Sequence, residues 1–116
     1  MGSEVVRSVD AADDLRLAAA IDVGDPLDRL DGSGVQVAVD FTTPDAVMST
    51  LRHCISHGIH AVVGTTGFDE DRLDEVRSML ADHPGVGVVI APNFALGAVL
   101  LMRFAREASP YFESVE

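Results

Sequence analysis

The sequence predicts a doubly wound α/β fold built on a parallel sheet, and three observations carry that expectation. Strand-like and helix-like segments alternate along the 116 residues. The strand-like runs are almost continuously apolar, as in strands covered on both faces. The short stretches rich in small and polar residues, Asp22, "DFTT", "GTTGF" and "APNF", all fall where a strand would end. In such folds the carboxyl ends of the strands form the edge that binds ligands.

Taken in order, "SEVVRSVDAA" places Val5, Val6 and Val9 at helical spacing. "LRLAAAID" reads as a short strand running out to Asp22, and "VGDPLDRLDGSG" as a polar connection. "VQVAVDF" has the β-branched content of a strand and ends at Asp40. "TTPDAVMSTLRHCISHG" carries helix punctuation: Thr43 as N-cap, Pro44 and Asp45 in the first turn, and Gly58 just past the end. Its inward face is Val47, Leu51, Cys54 and Ile55.

"IHAVVG" is a further strand, and "DEDRLDEVRSMLADHPG" a further helix. In that helix acids occupy the first turn, Leu73, Val76 and Leu80 point inward, and Pro84-Gly85 is the stop. "VGVVIAP" is the most strand-like stretch in the chain. "LGAVLLMRFAREASPYF" is helical from about Leu96, with Pro110 near its end.

Composition narrows the function. Apolar residues make up 47% and the formal charge is −11, with no basic stripe. That describes a globular domain and speaks against a nucleic-acid or anionic-membrane surface. An acidic protein still binds an anionic cofactor when backbone amides supply the positive ends. A single cysteine, Cys54, rules out an internal disulfide and fits a reducing, cytoplasmic setting. Its apolar neighbours make it a small buried hydrophobe.

His53 and His57 stand at i, i+4, but there is no HExxH glutamate and no clear third ligand, and His60 and His83 add none. No metal site is therefore expected. Neither a GxSxG elbow nor a P-loop lysine is present.

The strand ends admit a nucleotide. Asp22 reads either as the carboxylate that holds an adenosine ribose or as a solvated strand end. No arginine follows it to meet a 2′-phosphate, which leans towards NADH over NADPH. Gly64, Thr65 and Thr66 let amides and hydroxyls approach a ligand closely, or else serve a turn that needs a left-handed residue. In "APNF", Asn93 offers a donor and an acceptor, and Phe94 a face for a planar ring.

With "DFTTPDAV", "GIHAVVGTTGF" and "APNFALGAVLLMRFA" in order, the chain resembles the dihydrodipicolinate reductase family over essentially all its length. "AADDL" and "DVGDPL" resemble its actinobacterial branch. The resemblance implies a Rossmann-like nicotinamide-dinucleotide domain of an NAD(P)H-dependent, cytoplasmic 4-hydroxy-tetrahydrodipicolinate reductase, a homo-oligomer at full length, in diaminopimelate and lysine biosynthesis. It matches Asp22 to the residue on the adenosine ribose. Gly64, Thr65 and Thr66 match the segment beside the pyrophosphate and nicotinamide ribose. Ala91, Pro92, Asn93 and Phe94 match the loop beside the nicotinamide, and Asp40, Phe41 and Thr42 the strand end close to it.

Two departures accompany the resemblance. Met1 and Gly2 match the last two residues of the family's G-x-x-G-x-M-G fingerprint, so the first strand is expected to be lacking. In the 3-2-1-4-5-6 order that strand lies at the centre, between "LRLAAAID" and "IHAVVG". At the other end, the family's H-H-x-x-K motif and its substrate-binding S-G-T segment fall beyond "ESVE". Residues 1–116 thus read as a partial cofactor domain, with 113–116 starting the connection to a C-terminal substrate domain. No catalytic residue is expected within the chain, and alone it is expected to bind cofactor weakly or not at all and to be inactive. The alternatives are a free-standing nucleotide-binding or regulatory domain, or a fragment without function.

Overall fold

The computed structural model describes residues 1–91 and 93–112. Pro92 and the connection expected at 113–116 lie outside the described residues. Helix α1 spans Gly2–Asp10, strand β1 Val37–Asp40, helix α2 Val47–Ser56 and strand β2 His60–Val63. Helix α3 spans Glu70–Ala81, strand β3 Val88–Ile90 and helix α4 Leu96–Ala108. Single 3₁₀ turns cover Leu27–Leu30 and Ser109–Tyr111. This is the α/β, Rossmann-like class that the sequence predicts, and no strand precedes Val37 among the described residues.

The sheet is parallel, in the order β1-β2-β3. Asp40 pairs with Val63, and Val63 with Ile90, so all three strands end at one edge. Each successive pair is joined by a helix, α2 and then α3, as parallel neighbours require. Both helices pack on the same face. Val47, Met48, Leu51 and Ile55 of α2 and Val76 of α3 close over Ala61 and Val63, with Val88 and Ile90 alongside. Leu51, Ile55, Val47 and Val63 are fully buried, and each such side chain contributes about 1.5–3 kcal/mol of transfer free energy.

The helix boundaries follow local chemistry. Asp69 caps α3, its carboxylate accepting from the Arg72 amide at 2.9 Å. The end of α2 is a Schellman motif: the Ile59 amide donates to the Cys54 carbonyl at 2.8 Å and Gly58 N–H to Ile55 at 3.2 Å. Gly58 sits at φ +73°, a conformation that costs other residues roughly 1–2 kcal/mol. At its start α2 departs from expectation. Residues Thr43–Ala46 form a turn whose Thr43 carbonyl accepts from Ala46 and Val47, and no side chain caps the helix.

Three further expectations are corrected. Residues 15–22, read as a strand, form no ladder. Ala19 and Ile21 instead lie against the cluster of Leu30, Cys54 and Ile59; alternating apolar side chains are half-buried there without backbone pairing. "IHAVVG" does not border a missing strand, because β2 is the central strand, paired on both sides. The outer strands, each paired on one side only among the described residues, are β1 and β3.

The sheet is also covered on one face only among the described residues. Val37, Val39 and Val89 on the other face remain 52%, 45% and 56% exposed. Neither α1 nor α4 buries a residue, and the radius of gyration, 17.0 Å, exceeds the roughly 13 Å of a compact chain this long.

Candidate functional site

The common carboxyl edge of the strands assembles most of the residues that the sequence singles out. The β1–β2 ladder runs one step past the strands, with the Gly64 amide donating to the Asp40 carbonyl at 2.9 Å. The Ala91 amide likewise donates to the Val63 carbonyl at 2.9 Å. The exits of β1, β2 and β3 therefore leave the sheet side by side.

Asp40 organises the first two exits. Only 4% exposed, it accepts on Oδ1 from the Thr42 amide and the Thr42 hydroxyl, both at 2.7 Å, and from the Thr65 hydroxyl at 3.2 Å. That hydroxyl is shared with the Thr42 carbonyl at 3.4 Å. Oδ2 of Asp40 is buried without a partner among the described residues. The carboxylate also acts inward: burial first, then the Asp40 charge, pushes the Cys54 thiol up to about 11. Cys54 is fully buried, as expected of it.

Phe41 turns its ring onto residue 64, and a Cβ there would overlap it. Its other neighbour is Phe94, with centroids 5.7 Å apart and planes tilted by 60°, a favourable aromatic pairing. Gly67, at φ +90°, stands against Pro44. The two glycines of "GTTGF" are thus required by the protein itself, one by a ring and one by backbone conformation. Arg72, which the sequence reading passed over, locks the loops together: Nη1 donates to the Pro44 carbonyl at 2.8 Å and to Gly67 at 3.2 Å. Nothing local signals that role, since its acceptors are backbone carbonyls in two loops.

Between the glycines, Thr65 is buried and Thr66 exposed, and the Thr66 amide has no protein acceptor among the described residues. A hollow of about 280 Å³ lies beside them, lined by Thr65, Thr66, Gly67, Phe68, Leu73 and Ile90. It is small against the roughly 300–1,000 Å³ of ligand pockets. Phe94 is 49% exposed. Asn93 spends its side-chain oxygen on the Ala95 amide at 2.8 Å, just ahead of α4, leaving its amide hydrogens outward.

The remaining candidates stand apart from this cluster in their bonding. Asp22 is exposed and its Oδ1 accepts from its neighbour, the Val23 amide, at 2.7 Å. The Asp25 amide returns to the Asp22 carbonyl at 3.0 Å, so the residue sits in a reverse turn rather than at a strand end. The Met1 carbonyl accepts from Glu4 and Val5 in the first turn of α1, and Gly2 opens that helix.

A family model described as "Dihydrodipicolinate reductase, N-terminus" matches residues 1–94. The whole chain is 58% identical to a protein named 4-hydroxy-tetrahydrodipicolinate reductase from Streptomyces avermitilis, covering 46% of that protein. It is 59% identical to one of the same name from Nocardia farcinica, covering 47%. The chain thus spans about half the length of these curated relatives. Among solved structures, a dipicolinate-bound dihydrodipicolinate reductase from Paenisporosarcina sp. TG-14 is similar with a TM-score of 0.71 at 30% identity. The match covers 97% of this chain and 50% of that one.

Proposed function

The chain belongs to the dihydrodipicolinate reductase family, and from that premise we propose that it holds the nicotinamide dinucleotide of a 4-hydroxy-tetrahydrodipicolinate reductase acting in diaminopimelate and lysine biosynthesis. The observation that carries the proposal is the convergence of three strand exits at one edge, where Thr66 and Phe94 present a free amide, a hydroxyl and a ring face to solvent.

The residues present fit such a group. The Thr66 amide and hydroxyl and the Asn93 carboxamide would meet its polar atoms, and the Phe41–Phe94 pair gives its planar ring a wall. The dinucleotide, when bound, supplies the hydride. The contribution of this chain is orientation: Asp40 holds the backbone of Thr42 and the hydroxyl of Thr65, and Arg72 ties the loops after β1 and β2, so the edge is organised before anything binds. No residue of the chain is assigned the proton or the grip on the substrate, and the reductase acts as a homo-oligomer in the cytoplasm. Asp22, with no basic neighbour directly after it, favours NADH over NADPH.

The test is a ¹H–¹⁵N NMR titration of the 116-residue chain with NADH and, separately, NADPH. Weak, fast-exchange shifts centred on Thr65, Thr66, Asn93 and Phe94, larger for NADH, are expected. No shift in millimolar NADH, or shifts centred elsewhere, overturns the assignment. A larger response to NADPH overturns the preference.

A further inference from the structure

At the opposite end of α2 from the strand exits, three side chains from two separate segments converge. His53 and His57 lie one helical turn apart with their rings stacked, centroids 4.1 Å apart and planes within 19°. Asp31, which follows the 3₁₀ turn at Leu27–Leu30, brings Oδ1 to 2.9 Å from His53 Nε2 and 3.8 Å from His57 Nε2. The three ligand atoms all lie within 4.8 Å of one another. The sequence offers the histidine pair without a third ligand; folding supplies it from 22 residues upstream of His53.

The hydrogen bonds of His57 decide which nitrogen is available. Its Nδ1 lies 2.8 Å from the His53 carbonyl oxygen, which only accepts, so Nδ1 carries the proton. The Ser56 hydroxyl, 3.0 Å from the same nitrogen, adds a second neighbour to that side of the ring. The neutral ring therefore presents the lone pair of Nε2 towards Asp31, an acceptor facing an acceptor. A cation between them resolves that opposition. A backbone carbonyl fixing the far nitrogen is also how metal-binding histidines are usually oriented.

We propose that Asp31, His53 and His57 form a binding site for a divalent transition-metal ion of the Zn²⁺ class, separate from the nucleotide edge. Two imidazoles and one carboxylate suit such ions, whereas Mg²⁺ and Ca²⁺ prefer all-oxygen shells. Bonds of about 2.0–2.1 Å in a tetrahedral shell put neighbouring ligands roughly 3.3 Å apart. The 2.9 and 3.8 Å separations bracket that spacing, and a turn of the half-exposed His57 ring closes the set. In the bound state His53 coordinates through Nε2 and carries its proton on Nδ1. Water takes the position left open towards solvent. The ion sits at the carbonyl end of α2, where the helix dipole favours positive charge. It clips the segment after Leu30 to that helix and so stabilises the fold.

The test uses the full chain and Zn²⁺ itself, followed by calorimetry at neutral pH and by ¹⁵N spectra of the histidine rings. One equivalent is expected to bind, moving the Nε2 signals of His53 and His57 and leaving those of His60 and His83 in place. Asp31→Asn and His57→Gln are expected to weaken binding about tenfold or more, and His60→Gln and His83→Gln to leave it unchanged. Equal shifts on all four rings, undiminished affinity in Asp31→Asn and His57→Gln, or Mg²⁺ binding as tightly as Zn²⁺ each overturns the site. The ring spectra of the unaltered protein decide the matter even where a variant folds poorly.

Discussion

Phe41 and Gly64 share one volume: the ring of Phe41 occupies the place where residue 64 would carry a Cβ. The two residues directly follow adjacent strands, and the Gly64 amide already donates to the Asp40 carbonyl. The backbone of residue 64 therefore cannot withdraw from the ring without breaking the ladder. Gly64→Ala is expected to cost about 1–3 kcal/mol, the range for overpacking. Urea denaturation measures it. In a double-mutant cycle with Phe41→Ala the alanine at 64 should become nearly free. Strictly additive costs would mean that the ring moves aside on its own.

Gly67 and Gly85 make a matched pair. Gly67 has φ +90° and would set a Cβ 2.9 Å from Pro44 Cβ, whereas Gly85 has open space and no positive φ. Gly67→Ala is expected to destabilise by at least about 1–2 kcal/mol. Gly85→Ala should be neutral or stabilise by about 0.4–1 kcal/mol through the unfolded chain. Thermal melts of both proteins give the comparison, and equal melting temperatures would contradict it.

Asp40 acts through one oxygen. Asp40→Asn keeps an acceptor for Thr42 and Thr65, and gives the position of the unpartnered Oδ2 to an amide group. Asp40→Ala removes the acceptor of the Thr42 amide and hydroxyl and one of the two acceptors of the Thr65 hydroxyl. The alanine variant should lose about 1–3 kcal/mol and the asparagine variant clearly less. Chemical denaturation of both proteins tests this, and equal losses would assign the effect to packing instead.

The Cys54 thiol, pushed up to about 11, keeps its proton in the folded protein after the unfolded chain has begun to lose it near pH 9. The contribution is fully present below about pH 9 and falls away as pH rises through about 11, reaching roughly 2–3 kcal/mol. Stability measured from pH 8 to 11 should decline, and Cys54→Ala should remove part of that slope. Ellman's reagent at pH 8 should label the native thiol only at the rate of unfolding. Prompt labelling would refute its burial.

How far the sequence reaches is visible residue by residue. The inward faces of α2 and α3, Asp69 at the start of α3, Gly58 at the end of α2 and the burial of Cys54 are all legible. Periodicity and capping act between residues about four apart, within reach of a local reading. Three of the four expected strand ends are legible too, because parallel neighbours in register bring the exits of β1, β2 and β3 to one edge whatever the details of packing; Asp22 is the exception.

Tertiary structure alone decided which strand is central, that residues 15–22 half-bury Ala19 and Ile21 without joining a ladder, and which face the helices cover. It also decided that Gly64 yields to a phenylalanine ring, that Arg72 ties two loops, and that Asp31 meets His53 and His57. Each of these depends on where distant segments come to lie once their loops close. Composition and spacing encode which groups seek burial or partners; the partners themselves are fixed only when the chain folds.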